Sequence, residues 1–462
     1  MQEVDLHDLL AEPAAYFGNS YTAMHSIERE SMLDMQRRGL ALRFAQHVES
    51  IPMVARLAGR QGVTAIDDLA DVVPLLFEHT MYKSYPISLL ARQQFGRLTE
   101  WIGKLTSVPV TSVDLTGCTS IDQWLNTVSA QTDIDIFHSS GTSGTMSFFP
   151  WSKQDLVRIW SIRRMTHLQV YGEEPDDVLL REPFHYIRTS TRFDRRDLGS
   201  EAITFGRPGY THVATEQRPS ADLLWLASRL RLAAAQGDSS RVDVPESLLA
   251  RRDELRRSRD RDEDTRARWL AEIEQLQGQH VLWTIMPHDL FEIALPHVEQ
   301  SETWSFSSRS VVHLTGGAKG RSLPPDWMDT LKKFLDVRVL IGYSMSELTD
   351  QQVMCSAGRY HLQPWVIPYV LDPDTSALLP RRGVQTGRFA FFNLMTDSHW
   401  GGLMTGDEVE LDYDGPCACG ATTQHLGPDI VRLSEKRGGD DKISCAATPQ
   451  AHADAMQFLN DF

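Results

Sequence analysis

Apolar residues recur every three or four positions through "YTAMHSIERESMLDMQRRGLALRFAQHV", residues 21–48, which predicts an amphipathic helix. "DDLADVVPLLF" and "SIDQWLNTVS" predict shorter helices, each opened by an Asp or Ser able to cap it. Residues 1–130 therefore read as a helical wall. At "DIDIF" the period changes to two, the mark of a strand, and "SFFPW" further on is apolar and extended. The run "SSGTSGT", residues 139–145, lies between them, so a β-hairpin with this run as its turn is expected. A helix should follow in "SKQDLVRIWSIRRMTHLQV", with Ser152 as its cap.

The strip 251–268, "RRDELRRSRDRDEDTRAR", alternates in sign and has Leu255 as its only large apolar residue. It predicts a solvated helix that continues into "WLAEIEQLQ" with a buriable face. "HVLWTIM", "SVVHLTGG" and "VRVLIGYS" then read as strands, separated by the helices "DLFEIALPHV" and "PDWMDTLKKFL". This βαβαβ rhythm implies a parallel sheet with ligands at the strand ends. From about residue 380, "GRFAFFNL" and "GDEVELDYDG" predict antiparallel β. The chain shows no internal repeat and no low-complexity linker.

With 462 residues, 41% hydrophobic and 23% charged, the chain is long enough to bury a core without disulfides or metal staples. No apolar run is long enough to span a membrane, and the acidic start "MQEVDLHDLLAEPAAYF" lacks signal-peptide order, so a cytoplasmic protein is expected. The net charge of −16 argues against nucleic acid as a partner. It does not argue against an anionic small substrate, because the field of a site is local. The five cysteines, an odd number, do not suggest a disulfide framework.

Backbone N–H groups of a Gly/Ser/Thr turn can close around phosphate oxygens, with the hydroxyls as further donors. Ser140, Gly141, Thr142, Ser143, Gly144 and Thr145 are thus a candidate phosphate loop, although a surface hairpin has the same composition. The Walker pattern is absent. Three further stretches follow in order: "LTGGAKG" (314–320), "IGYSMSELTD" (341–350) and "LMTGDEVELD" (403–412). Together the four resemble the adenylate-forming enzymes, which include acid–CoA ligases, peptide-synthetase adenylation domains and luciferase-like ligases. The resemblance spans residues 135–445. It implies an α/β fold of parallel sheets flanked by helices, with a small β region. Residues 1–130 would be its helical part, 131–430 its ATP- and acyl-binding core, and 431–462 a short tail. It also implies ATP and Mg²⁺ as cofactors. Gly316, Gly317 and Ala318 would form the adenine turn. Tyr343, Ser344, Ser346 and Glu347 would form the aromatic-x-x-[ST]-E motif, with Glu347 on the metal. Asp407 would accept the ribose hydroxyls and Arg432 would contact the ribose.

The chain departs from the family in two places. Met146 and Ser147 stand where many members carry a Lys after the loop. The chain also ends at Phe462, soon after the T-G-D motif, so the usual mobile small domain with its catalytic Lys is expected to be missing or a stub. Lys442 is the nearest substitute. Two branches are similar: phenylacetate–CoA ligase-like enzymes and the acyl-protein synthetase of bacterial luminescence. "SSGTSGTMS", "GGAKG" and "SAGRYHLQPWV" look more like the second, which would make Cys445 an acyl-accepting thiol. Lys442 would lower the pKa of that thiol. The alternative for Cys445 is a small buried residue in "KISCAA".

Cys355, His361, Cys417 and Cys419 supply three thiolates and an imidazole, a donor set suited to tetrahedral structural Zn²⁺; the alternative is three buried thiols and a surface His. His185, Tyr186 and His288 either line the acyl pocket or pack in the core. The expected function is ATP-dependent activation of a carboxylic acid as acyl-adenylate, with release of pyrophosphate. The acyl group would pass to Cys445, a carrier-protein thiol, CoA or an amine-type nucleophile. An acid–CoA ligase and a catalytically silent nucleotide-binding or complex-forming homologue are the alternatives.

Overall fold

The computed structural model of the chain describes residues 4–139, 145–169, 184–188, 209–213, 220–235, 244, 246–314, 323–345, 347–348 and 351–436. They divide into two units. The first takes in 4–139, 145–166 and 347–436; the second takes in the described part of 167–345. The strands in chain order are β1 (Phe77–Glu78), β2 (Ile134–His138), β3 (Phe148–Ser152), β4 (His185–Arg188), β5 (Thr211–Val213), β6 (Val281–Ile285), β7 (Val311–Leu314) and β8 (Arg338–Tyr343). They continue with β9 (Gln352–Val353), β10 (Tyr360–His361), β11 (Val366–Leu371), β12 (Val384–Asn393), β13 (Gly402–Asp412), β14 (His425–Leu426) and β15 (Val431–Arg432).

In the first unit, β2 and β3 form the expected antiparallel hairpin, from Ile134 opposite Ser152 to His138 opposite Phe148. The main sheet runs β10-β14-β13-β12-β11, all antiparallel, with β1 parallel and β15 antiparallel to β13. The helix predicted at 21–48 is observed as two pieces, Tyr21–Met24 and Arg29–Ser50, the second burying Met32, Met35, Gln36, Leu40, Arg43, Phe44 and His47 along one stripe. Gln36 Nε2 donates to the Pro364 carbonyl at 2.8 Å, and Arg43 Nε to the Leu394 carbonyl at 2.8 Å. "DDLADVVPLLF" differs in detail from the expected helix. Leu69–Leu75 winds as a 3₁₀ turn, closed at its start by a reciprocal Asp68/Asp71 cap. Pro74 lacks the N–H that a longer α-helix would use there.

The first unit is locked by one buried carboxylate. Helix Lys153–Gln169 is capped as expected, since Asp155 N donates to Ser152 Oγ at 2.9 Å. Asp155 itself is fully buried. Its Oδ1 accepts from Asp397 N and Arg158 Nη1, both at 3.0 Å, and its Oδ2 accepts from Ser398 N at 3.1 Å and from Ser398 Oγ. Arg158 and Arg43 both reach the Asp397 carboxylate. The start of the helix, the 394–400 turn between β12 and β13, and the 29–50 helix therefore meet at this point.

In the second unit five strands run parallel in the order β5-β4-β6-β7-β8. The βαβαβ reading is observed, with helices Pro287–Glu299 and Trp327–Phe334 as its crossovers. The charged strip lies in helix Arg252–Glu274, with Arg251 as its N-cap. Its apolar end brings Trp269 and Ile273 into a core with Ile187, Trp283, Ile285, Leu290, Val312 and Phe334. Among the described residues, no helix is long and apolar enough to cross a membrane.

Asp155→Ala should lower the unfolding free energy by about 3–5 kcal/mol, because Arg158 and the Ser398 hydroxyl would lose a fully buried partner. A urea titration reads this directly. A loss under about 1 kcal/mol would contradict the clamp.

Candidate active site and metal centre

The T-G-D motif is an irregularity in a β ladder. The β12/β13 register runs regularly to Arg388 opposite Glu408, then resumes at Ala390 opposite Met404. Thr405, Gly406 and Asp407 thus face Phe389 alone, a bulge of the kind that re-aims a side chain. Local bonds replace the missing ladder. Thr405 Oγ1 donates to the Phe389 carbonyl at 2.7 Å and accepts from Asp407 N at 3.1 Å. Arg388 Nε donates to the Thr405 carbonyl at 2.7 Å, while its fork grips both Glu78 oxygens at 2.6 and 3.3 Å. Asp407 is buried and pairs in register with Arg432 of β15, whose Nε lies 3.1 Å from Asp407 Oδ1. The two expected ribose residues are thus brought together, with Arg432 itself more than half exposed.

Cations gather near this bulge. Burial first, then Lys83, Arg388 and Arg432, hold the His79 pKa below its ordinary value. Glu347 is half-buried. Its carboxylate lies close enough to Tyr82 to add to the burial that raises the phenol pKa. The base of the Ser/Gly/Thr turn is pinned at both ends. Ser139 N donates to the Ser147 carbonyl at 3.0 Å, Ser147 N to Ser139 Oγ at 2.9 Å, and Tyr85 Oη to the Met146 carbonyl at 2.9 Å. Thr145 is half-buried. Ser140, Gly141, Thr142, Ser143, Gly144, Gly316, Gly317, Ala318, Ser346, Lys442 and Cys445 lie outside the described residues.

In the second unit Tyr343 ends β8 half-buried, and Ser344 follows it exposed. His185 and Tyr186 are neighbours on β4 and so point to opposite faces of the sheet. His185 Nδ1 lies 2.8 Å from His212 Nε2, whereas Tyr186 carries Arg188 over its ring at 5.9 Å. The two cannot line one face together. His288 is buried in the first turn of helix Pro287–Glu299.

Cys355, His361, Cys417 and Cys419 converge, with their donor atoms all within 4.8 Å of one another. Cys355 Sγ and Cys417 Sγ are 3.9 Å apart, and Cys419 Sγ is 3.2 Å from His361 Nε2. Tetrahedral Zn–S bonds of about 2.3 Å set sulfurs about 3.8 Å apart, so the donor set fits such an ion. Two matching knuckles present the sulfurs. Gly358 N donates to the Cys355 carbonyl and Gly420 N to the Cys417 carbonyl, both at 2.9 Å. Each glycine has positive φ, +71° and +96°, which side-chain-bearing residues rarely adopt. Burial, followed by His425, pushes the His361 pKa down to about 4, leaving a neutral ring with a lone pair to offer. Burial and the neighbouring thiols push the Cys419 pKa up to about 11, a cost that a bound cation would remove.

Several residues at these sites were not legible in the sequence. Arg388 and Glu78 carry no motif and lie 310 positions apart. Thr423 and His25, which flank His361, are 398 apart. Only the Thr pair of "CGATTQH" stood close enough to the cysteines to have been noticed.

No family model matches the sequence, and no curated protein is detectably similar to it. Solved structures are. A crystal structure of 2-hydroxyisobutyryl-CoA ligase in the postadenylation state with R3-HIB-AMP aligns over 90% of this chain and 71% of its own, at 12% identity and a TM-score of 0.52. An open conformation of the same ligase with 2-HIB-AMP and CoA aligns over 90% and 72%, at 13% identity and a TM-score of 0.52. At this identity the likeness is one of fold, and the fold is the one the ordered motifs led us to expect.

Thr405→Val should cost about 2 kcal/mol, since the bulge loses a donor and an acceptor in a buried place. Chemical denaturation measures it. An unchanged midpoint would mean that the hydroxyl does not hold the bulge.

Proposed function

We propose that the chain is an AMP-forming ligase that activates a carboxylic acid. In this reading a carboxylate oxygen attacks the α-phosphorus of ATP, the bond to the bridging β-oxygen breaks, and pyrophosphate leaves. The resulting acyl-adenylate then gives its acyl group to a thiol or amine-type nucleophile, and AMP departs. The observation that carries the proposal is Asp407, a buried carboxylate re-aimed by a bulge and held by Arg432, on a fold shared with a ligase solved with an acyl-AMP.

The roles follow from chemistry. Asp407 is an acceptor-only group suited to two vicinal ribose hydroxyls. Arg432 would orient it and touch the sugar. The turn Ser140–Thr145 would cradle the triphosphate with backbone N–H groups, its base already pinned by Ser139 and Ser147. Tyr343 and Ser344 stand at the carboxyl end of a parallel strand, where α/β sheets bind ligands. Glu347 would hold Mg²⁺, which when bound offsets phosphate charge as the bond to pyrophosphate breaks. His185, Tyr186 and His288 remain candidates for acid recognition, with His185 and Tyr186 serving different faces.

CoA is the second reading for the acceptor, since 2-hydroxyisobutyryl-CoA ligase has been solved with CoA beside its acyl-AMP. Cys445, with Lys442 to activate it, a carrier-protein thiol and an amine are the others. The Cys/His cluster completes the proposal as a structural Zn²⁺ site held by Cys355, His361, Cys417 and Cys419.

Acid-dependent exchange of labelled pyrophosphate into ATP tests the first half-reaction. Asp407→Ala should reduce exchange by about 100-fold or more with the fold retained. No exchange from wild-type protein with any acid would favour a silent nucleotide-binding homologue. Elemental analysis of protein purified without chelator should find about one zinc per chain, and under about a tenth would reject the four-ligand site.

A further inference from the structure

The histidine of the cysteine cluster does not end its contacts at the sulfurs. His361 Nε2 faces Cys419 Sγ at 3.2 Å, which puts its ring proton on Nδ1 if Nε2 is to bind an ion. Nδ1 looks at Thr423 Oγ1, 3.4 Å away. That hydroxyl in turn lies 2.8 Å from Nδ1 of His25, a buried residue just before the long N-terminal helix. One direction of donation fits the three atoms that face one another. His361 Nδ1–H donates to Thr423, whose O–H donates to His25 Nδ1, leaving the His25 proton on Nε2. The His25 and His361 rings also meet edge to face, with centroids 5.6 Å apart.

The backbone repeats this connection. Thr422 N donates to the His25 carbonyl at 2.8 Å, and Thr422 Oγ1 donates to the His25 and Ile27 carbonyls at 3.1 and 2.7 Å. Two adjacent threonines, one residue past the Cys417–Gly420 knuckle, therefore hold the same short segment. One works through the main chain, and the other through the ring that faces the cluster.

We infer that Thr423 and His25 are the outer hydrogen-bond shell of the four-ligand centre, so that a bound ion clasps residues 25–27 to the knuckle carrying Cys417 and Cys419. Neither residue would touch the ion; both are positioning residues. The inference rests on the zinc reading of the cluster. An outer shell fixes ring orientation and ligand basicity, and its loss ordinarily shortens metal residence without removing a ligand.

The test uses the full chain and reads zinc release into the colorimetric chelator 4-(2-pyridylazo)resorcinol, beside hydrogen exchange of the peptide covering residues 20–29. Thr423→Val should keep its zinc but release it about 10–100-fold faster, and Thr423→Ser should restore the wild-type rate. His25→Asn, acting from the far end of the chain of bonds, should speed release by a smaller factor and covers the case in which Thr423→Val fails to fold. Stripping zinc from wild-type protein should raise exchange in the 20–29 peptide. Wild-type release rates in both variants, or exchange unaffected by stripping, would overturn the outer shell and leave the zinc reading standing. Wild-type protein that holds no zinc would overturn both.

Discussion

A charge wholly removed from water must be met by matching partners, and in the first unit Asp155 is where that constraint is sharpest. Its two oxygens collect two main-chain N–H groups, one hydroxyl and one guanidinium. Those partners come from the helix it opens and from the turn between β12 and β13. The same turn presents Asp397 to Arg43 and Arg158, and presents its carbonyls to Thr106 and Ser107 at 2.7 Å. The hairpin bearing the Ser/Gly/Thr turn and the strand bearing the T-G-D bulge are thereby tied to one buried point. Removing one partner would leave the others desolvated and unpaired, which makes such a network costly to break.

The bulge and the cysteine cluster show two ways of interrupting regular strands to aim a side chain. At Thr405–Asp407 the ladder is given up for three residues, and a hydroxyl and a guanidinium make up the lost bonds. At the cluster, two short turns with left-handed glycines aim sulfurs at a common point, and β10 and β14 bring His361 and the threonines alongside. In both, the side chain that would do the work is set by backbone irregularity, with regular strands on either side holding the geometry.

Much of this was legible in the sequence, for reasons that are local. The strand read from "DIDIF", the strand–helix alternation from 281 to 343, and the Ser152 cap all depend on neighbours within a few residues, and each is observed. The cluster was legible because soft ligands with glycine turns are rare together. What stayed hidden depends on distant partners. Asp155 reads as an ordinary first-turn acid of a helix, and its partners at 397 and 398 lie some 240 positions away. Arg388 reads as a strand residue until Glu78 is placed beside it. Pro74 shortened a helix whose apolar spacing looked sufficient. The opposite facing of His185 and Tyr186 follows from strand alternation alone, but only once that segment is known to be a strand.

The proposed activity, joining a carboxylic acid to AMP, is open to direct measurement. Mass spectrometry of the full chain incubated with ATP, Mg²⁺ and a panel of aryl and fatty acids tests it most directly. An acyl-AMP is expected for at least one acid, free or succeeded by a covalent acyl adduct on the protein. ATP left intact with every acid, by protein shown to be folded and to bind ATP, would contradict it.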